Sequence, residues 1–396
     1  MFAQTSFRCV LISAALLLTS PILAQVHRLD WTSGYNAHDL KFLNPLLANR
    51  TMVQLGESIH LTDEFPRVRL SLVRYLHEEL GFDVLALEGS PVDAWLAQDH
   101  LYRAHQPISQ KAREAQRLAW FGIWQTQAMG EVMKYVATTQ AQSRRPLYLT
   151  SFDSQPGSSS AFHDGLRSLS AFFQAVQAYA PSPDSGAFER WRNAFQPYFS
   201  NCYRTTVSST EEQRKEMDRS LAELSTWLRL ASARVQPSIH GRALLAVIAS
   251  LHGSFDLCAV APARPFGAQT YQRERDRENA LTALSIQHNV SASGKVILWA
   301  HHSHVNHDSL GTSVPSMGRS LLEVMGPKLY TIGHFAASGE ALSADDDDEL
   351  ALKHLRTDFE IEDALKRLAN FDYFLDLASP DLLICSGVPP MVDTTR

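Results

Sequence analysis

Met52-Val53-Gln54-Leu55-Gly56-Glu57-Ser58-Ile59-His60 runs from a short apolar segment into a polar turn opened by glycine, and a helical pattern from about Glu64 to Leu80 follows. Gly81 stands where a left-handed residue closes such a helix. Four more apolar runs have the same character: Val84-Leu85-Ala86-Leu87, Leu147-Tyr148-Leu149, Val296-Ile297-Leu298-Trp299 and Leu329-Tyr330-Thr331-Ile332. Short runs rich in branched residues that alternate with helical periodicity predict βαβ units, and so an α/β fold with a mainly parallel central sheet flanked by helices.

Each run ends in polar residues. Gly56-Glu57 follows the first, Glu88 the second, Asp153 the third, His301 the fourth and Gly333-His334 the fifth. Ligands of open α/β sheets bind beyond the carboxyl ends of the strands, so these residues are expected to share one site. Between about residues 161 and 290 the pattern changes to long amphipathic stretches, among them Glu211 to Val235 and His240 to His252, which predict a large helical insertion. Ser154 to Ser160 and the acidic run Asp345 to Glu349 read as solvated loops.

The 396 residues carry 36 Lys plus Arg against 42 Asp plus Glu, with no basic run, which removes the electrostatic footprint of a nucleic-acid partner. The first 24 residues read as a cleaved secretory signal. Arg8 precedes an apolar stretch from Val10 to Thr19, and Ile22-Leu23-Ala24 offers a cleavage site before Gln25. Pro21 interrupts that stretch, which is shorter than the roughly 20 residues that span a bilayer. The expectation is an exported protein, periplasmic or secreted, with one catalytic domain over residues 25–396 and no stable membrane insertion. Cys202, Cys258 and Cys385 remain after cleavage. A Cys202–Cys258 disulfide is the expected pairing in an oxidising compartment, with three unpaired thiols as the alternative.

Glu57 and His60 fall in a loop at a strand's carboxyl end, the usual setting of a His general base whose tautomer a carboxylate fixes. Arg69 lies on the arc of its helix that carries Phe65, Leu72, Leu76 and Leu80, while Arg67, Arg74 and Glu78 lie opposite. A core-facing arginine needs a partner, and Glu57 or Glu88 is the candidate. Trp299-Ala300-His301-His302-Ser303-His304-Val305-Asn306-His307 places four histidines at a strand end, either a metal site or a proton-handling cluster. Its spacing matches no strong metal signature, so no metal or other cofactor is expected, though a metal stays possible. There is no Gly-x-Ser-x-Gly elbow and no dinucleotide or Walker glycine loop, which disfavours a covalent serine mechanism and a nucleotide cofactor.

These segments, in this order, resemble the erythromycin esterase family. The resemblance rests on Gly56-Glu57-Ser58-Ile59-His60 with Glu64-Phe65 and Arg69, on Glu79-Leu80-Gly81-Phe82 leading to Ala86-Leu87-Glu88, and on Trp299-Ala300-His301-His302-Ser303-His304. Trp124 with Thr126, Phe152-Asp153, Arg275-Asp276, Met317-Gly318 and Tyr330-Thr331-Ile332-Gly333 extend it. It implies hydrolysis of a small-molecule ester, the lactone of a macrolide antibiotic, by direct attack of water. His60 would be the base and Glu57 and Glu88 would orient it or the water. Arg69 would hold those carboxylates or the oxyanion, His301 with His304 would polarise the ester, and Asp153, Trp124 and His302 would border the substrate. His302 replaces the family's Asn, Ser151 a Gly and Asn279 a Met. An exported metal- or haem-binding protein using residues 301–307 is the alternative, as is a polysaccharide-related accessory, for which no aromatic row speaks.

Overall fold

The computed structural model describes residues 25–28, 34–119, 122–155, 165–201, 210–260, 269–307, 315–336, 338–344, 350–356, 373–376 and 381–386. The expected signal segment, Cys202 and the acidic run lie outside them. The strands are β1 Gln25–Arg28, β2 Met52–Glu57, β3 Val84–Leu87, β4 Tyr148–Ser151, β5 Val296–His301, β6 Leu329–Ala336, β7 Ser338–Ala344, β8 Leu350–Arg356, β9 Tyr373–Asp376 and β10 Asp381–Ser386. The main sheet has the order β1-β9-β10-β6-β2-β5-β3-β4. From β10 to β4 every pairing is parallel, and β9 runs antiparallel to both its neighbours. Strands β7 and β8 form a separate antiparallel pair. All five strands read from the sequence are present in the parallel part.

The helices are α1 Asn44–Leu47, α2 Glu64–Glu78, α3 Pro91–Arg103, α4 Ile108–Ala119, α5 Gln127–Gln142, α6 Gly165–Gln177, α7 Ala187–Asn201, α8 Glu211–Ser232, α9 Ser238–Val260, α10 Gln269–Ser285, α11 His302–Val305 and α12 Met317–Met325. Between β4 and β5 the described residues form only helices, α6 to α10 and a π-turn over Ile286–Val290. Alternation along the strands divides the core in two. Val53, Leu55, Leu85, Leu87, Ile297, Trp299 and Ile332 pack on one face with α2 and α5. Met52, Val84, Ala86, Val296, Leu298 and Ala300 pack on the other with the helices of the insertion. Among the described residues no helix is long and apolar enough to cross a membrane.

Helix α2 buries Phe65, Val68, Arg69, Leu72, Val73 and Leu76, the spacing that lays one stripe on the sheet. It stops two residues before the expected end. Phe82 N–H then returns to the Leu76 carbonyl, and Gly81 takes φ +75°, a backbone state that glycine enters without steric cost.

Pairing register decides where the site forms. Gly56 lies opposite Ala300 on β5 and Gly333 on β6, a row of small residues across three strands. On this row rests the short helix α11: a side chain at Gly56 would stand 2.6 Å from Val305 Cγ2 and 3.3 Å from His302 Nδ1. Gly318 of α12 supports the same turn from outside, because a Cβ there would meet the Val305 carbonyl oxygen at 2.3 Å. Gly318→Ala is therefore expected to destabilise the protein by about 1–3 kcal/mol, as overpacking against backbone does. The urea unfolding midpoint reads this, and a midpoint equal to wild type would contradict the close approach.

Candidate active site

The next residue of each of these three strands points to the α2 face. Glu57 ends β2 and is in register with His301 on β5 and His334 on β6, so one row of the sheet carries a carboxylate between two imidazoles. Glu57 is buried, and both its oxygens are hydrogen-bonded. One oxygen takes the Nδ1–H of His60 at 2.7 Å, and the other takes Arg69 Nη1 together with the Trp299 indole N–H at 3.3 Å. Burial raises the Glu57 carboxyl, but the Arg69 guanidinium and the His60 bond outweigh it, and the group is held below the usual carboxylate value.

Arg69 is fully buried on α2, and its Nε–H points at His334 Nδ1, 3.2 Å away, with the guanidinium carbon 4.8 Å from the Trp299 ring centre. The two carboxylates proposed as its partners thus separate. Strand β5 lies between β2 and β3, so Glu57 reaches Arg69 while Glu88, one strand further out, is held by Arg275.

Glu88 anchors a second network. Its Oε1 meets Arg275 Nη2 at 2.9 Å and His304 Nε2 at 3.2 Å, and its Oε2 accepts the His301 backbone N–H at 2.7 Å. Arg275 also binds Asp153, and His304 Nδ1 binds Asp276. Burial works against the His304 imidazolium, yet Glu88 and Asp276 raise it to about 10, so it is a fixed cation at neutral pH. The same histidine and Arg275 outweigh the effect of burial on Glu88 and keep it ionised. The network sets three carboxylates against two cations, and of these groups Glu88 acts to raise the His60 value while His304 acts to lower it.

His60 is partly open to solvent. Its side chain is 23% exposed, with its ring 4.9 Å from that of His301 and edge-on to Trp124 at 5.6 Å. With Nδ1–H given to Glu57, its Nε2 carries the lone pair. Burial lowers the His60 value, but the bond to Glu57 prevails and raises it above the ordinary 6.5. His301 goes the other way, down to about 4, because of burial and the neighbouring His60. Its Nε2–H donates to the Ser58 carbonyl at 3.1 Å, and its Nδ1 accepts from Ser303 Oγ at 2.8 Å. It is a neutral wall of the site.

The histidines of residues 301–307 disperse. His302 lies over Gly56, His304 turns to Asp276 and Glu88, and His307 Nε2 meets Thr331 Oγ1 at 2.8 Å. Among the described residues no three His, Cys, Asp or Glu side chains are grouped as metal ligands would be. Trp124 and Asp153, expected beside the substrate, are buried supports. The Trp124 indole N–H binds the Glu88 carbonyl at 2.7 Å, and Asp153 is fully enclosed against Arg275. Asn279 caps the same region by accepting Ser154 N–H at 2.8 Å. Cys258 is disulfide-bonded.

Because the folded state raises His304 above its unfolded value, the stability it contributes is complete below about pH 6.5 and is lost as pH rises through about 10. The stability gap between wild type and His304→Gln should therefore narrow from pH 7 to pH 10 in urea titrations. A gap that stays constant would contradict the imidazolium. Glu88→Gln, which leaves Arg275 and His304 short of a counter-charge, is expected to cost about 3–5 kcal/mol.

Comparisons with known proteins bear on the fold and the family. The sequence profile described as erythromycin esterase matches residues 77–388, beginning after the Gly56 to His60 block. A putative hydrolase, YbfO, of Bacillus subtilis is 24% identical over 338 residues, covering 80% of this chain and 72% of its own. A Bacillus cereus crystal structure superposes with a TM-score of 0.69 at 16% identity over 98% of this chain and 93% of its own. A mutant of the erythromycin esterase EreC in its open conformation gives 0.61 at 16% identity over 93% and 99%. With the profile spanning well over half the residues, the chain belongs to the erythromycin esterase family of hydrolases.

Proposed function

We propose that this protein hydrolyses a carboxylic ester, a macrolactone or a simpler ester, by a water that His60 activates without a covalent intermediate. The observation that carries the reading is the Glu57–His60 contact of 2.7 Å at the carboxyl end of β2, with His60 partly open to solvent. Glu57 fixes the tautomer, so Nε2 is the atom that takes the proton of water as its oxygen attacks the ester carbonyl. The imidazolium that forms is stabilised by Glu57 and, at longer range, by the Glu88 carboxylate. His60 then returns the proton to the leaving alkoxide, which releases the acid and the alcohol.

A serine route finds less support. Ser303 is hydrogen-bonded to His301, but a histidine held near 4 is a weak base, and both its nitrogens are engaged. Export remains part of the proposal. It rests on the apolar stretch from Val10 to Thr19 behind Arg8 and on the Ile22-Leu23-Ala24 cleavage site.

The test is mass spectrometry of macrolides and simpler lactones incubated with wild type and with His60→Ala. The expected result is a gain of one water that falls on the order of 10²–10⁴-fold in the variant, with circular dichroism unchanged. Full turnover by His60→Ala would overturn the assignment. Because His60 must be unprotonated to accept, kcat/KM should fall on the acid side with a midpoint above the ordinary histidine value. A midpoint below 6.5 would contradict the role of Glu57.

A further inference from the structure

His334 has no part in the reaction as written, yet it occupies the third place in the row that holds Glu57 and His301. It is fully buried. From α2 it faces Arg69 at 3.2 Å and the Phe65 ring at 6.1 Å. From β2 it faces the Gly56 carbonyl at 3.2 Å, with Glu57 in register, and on its other flank it is in register with Ile384 of β10. Nδ1 is thus equally close to a donor and an acceptor. Arg69 Nε always carries its hydrogen, and no protein environment removes it. An Nδ1 that accepts this hydrogen cannot donate to Gly56, so the ring proton falls on Nε2, a buried atom that meets no hydrogen-bond partner among the described residues.

Protonating Nδ1 would press a second cation against the guanidinium, with Glu57 the sole carboxylate in contact with Arg69 among the described residues. Burial and the Arg69 charge both push His334 well below its ordinary value, in keeping with a permanently neutral ring. Without an acceptor on its Nε edge, the buried guanidinium would keep a single hydrogen-bonded partner among the described residues, Glu57, to set its angle. With that edge occupied, Nη1 is directed at Glu57.

We propose that His334 is a positioning residue of the hydrolytic site, whose Nδ1 lone pair aims the Arg69 guanidinium at Glu57 and through it holds the His60 ring. The chain of contacts is His334 Nδ1 to Arg69 Nε, Arg69 Nη1 to Glu57 Oε2, and Glu57 Oε1 to His60 Nδ1. Its kinetic consequence rests on the reading of His60 as base, whereas its structural core does not.

The experiment has two arms on the full chain. The first is nitrogen-15 resonance of histidine-labelled protein, with His334 assigned by its loss in His334→Asn. The proposal expects a neutral Nε2–H ring that does not titrate between pH 5 and 8. An Nδ1–H ring, or a ring that titrates near 6.5, would overturn it. The second arm compares His334→Leu, which removes the acceptor, with His334→Asn, whose Oδ1 stands near the place of Nδ1. His334→Leu should lower kcat on the order of 10²-fold, the cost of a misplaced catalytic group, with KM little changed. His334→Asn should recover most of that loss. Folded His334→Leu with wild-type kcat, or no recovery in His334→Asn, would overturn the proposal. If His60→Ala retains turnover, the reading of the base fails by itself, and the resonance arm still decides the state of His334.

Discussion

A single buried carboxylate, Glu57, organises the site. Enclosing an ionised carboxylate is costly unless both its oxygens are hydrogen-bonded and a counter-charge is close. The fold meets both demands with groups from four places: His60 from the loop after β2, Arg69 from α2, Trp299 from β5 and, through Arg69, His334 from β6. Each partner has its own dependence. Arg69 can be fully buried because Glu57 is there, and the His60 ring has a defined tautomer for the same reason. The indole of Trp299 provides both a hydrogen bond to Glu57 and an aromatic face for the guanidinium.

Sheet register makes this convergence possible. The small row Gly56, Ala300 and Gly333 admits the α11 turn on one face, and the following row Glu57, His301 and His334 sets a carboxylate between two imidazoles on the other. The period of two along a strand separates packing from chemistry by one residue, and shifting one strand by one position would exchange the two rows. The second network around Glu88 is then brought alongside by α10, which provides Arg275 and Asp276. One electrostatic unit is centred on the Glu57–His60 pair and the other on the Glu88–His304 pair.

Much of this is legible along the chain because parallel strands buried on both faces appear as continuous apolar runs, and polar residues must follow where those runs end. Glu57, Glu88, His301 and His334 are each visible in that way, and helical phase alone marks Arg69 as a buried charge. Pairing order is not visible. That β5 enters between β2 and β3 depends on contacts across more than two hundred residues, so the choice of Glu57 over Glu88 as the Arg69 partner cannot be made from periodicity. The divergence of His301, His304 and His307 is hidden for a related reason. Closely spaced histidines look like one cluster until the turn of α11 sends them toward different elements. Strands β1 and β9 are short and pair antiparallel at the sheet edge, where an apolar run is not required. Only the resemblance to known esterases marks Arg275 and Asp276, since on their helix nothing distinguishes them from the neighbouring charges of residues 273–278.

The most direct measurement is the titration of His60 itself, followed by its ring resonance in selectively labelled protein, in wild type and in Glu57→Gln. If the buried carboxylate sets the base, the wild-type midpoint lies above the ordinary histidine value of 6.5, and removing the charge moves it down. A His60 midpoint that is the same in both proteins would contradict the account at its centre.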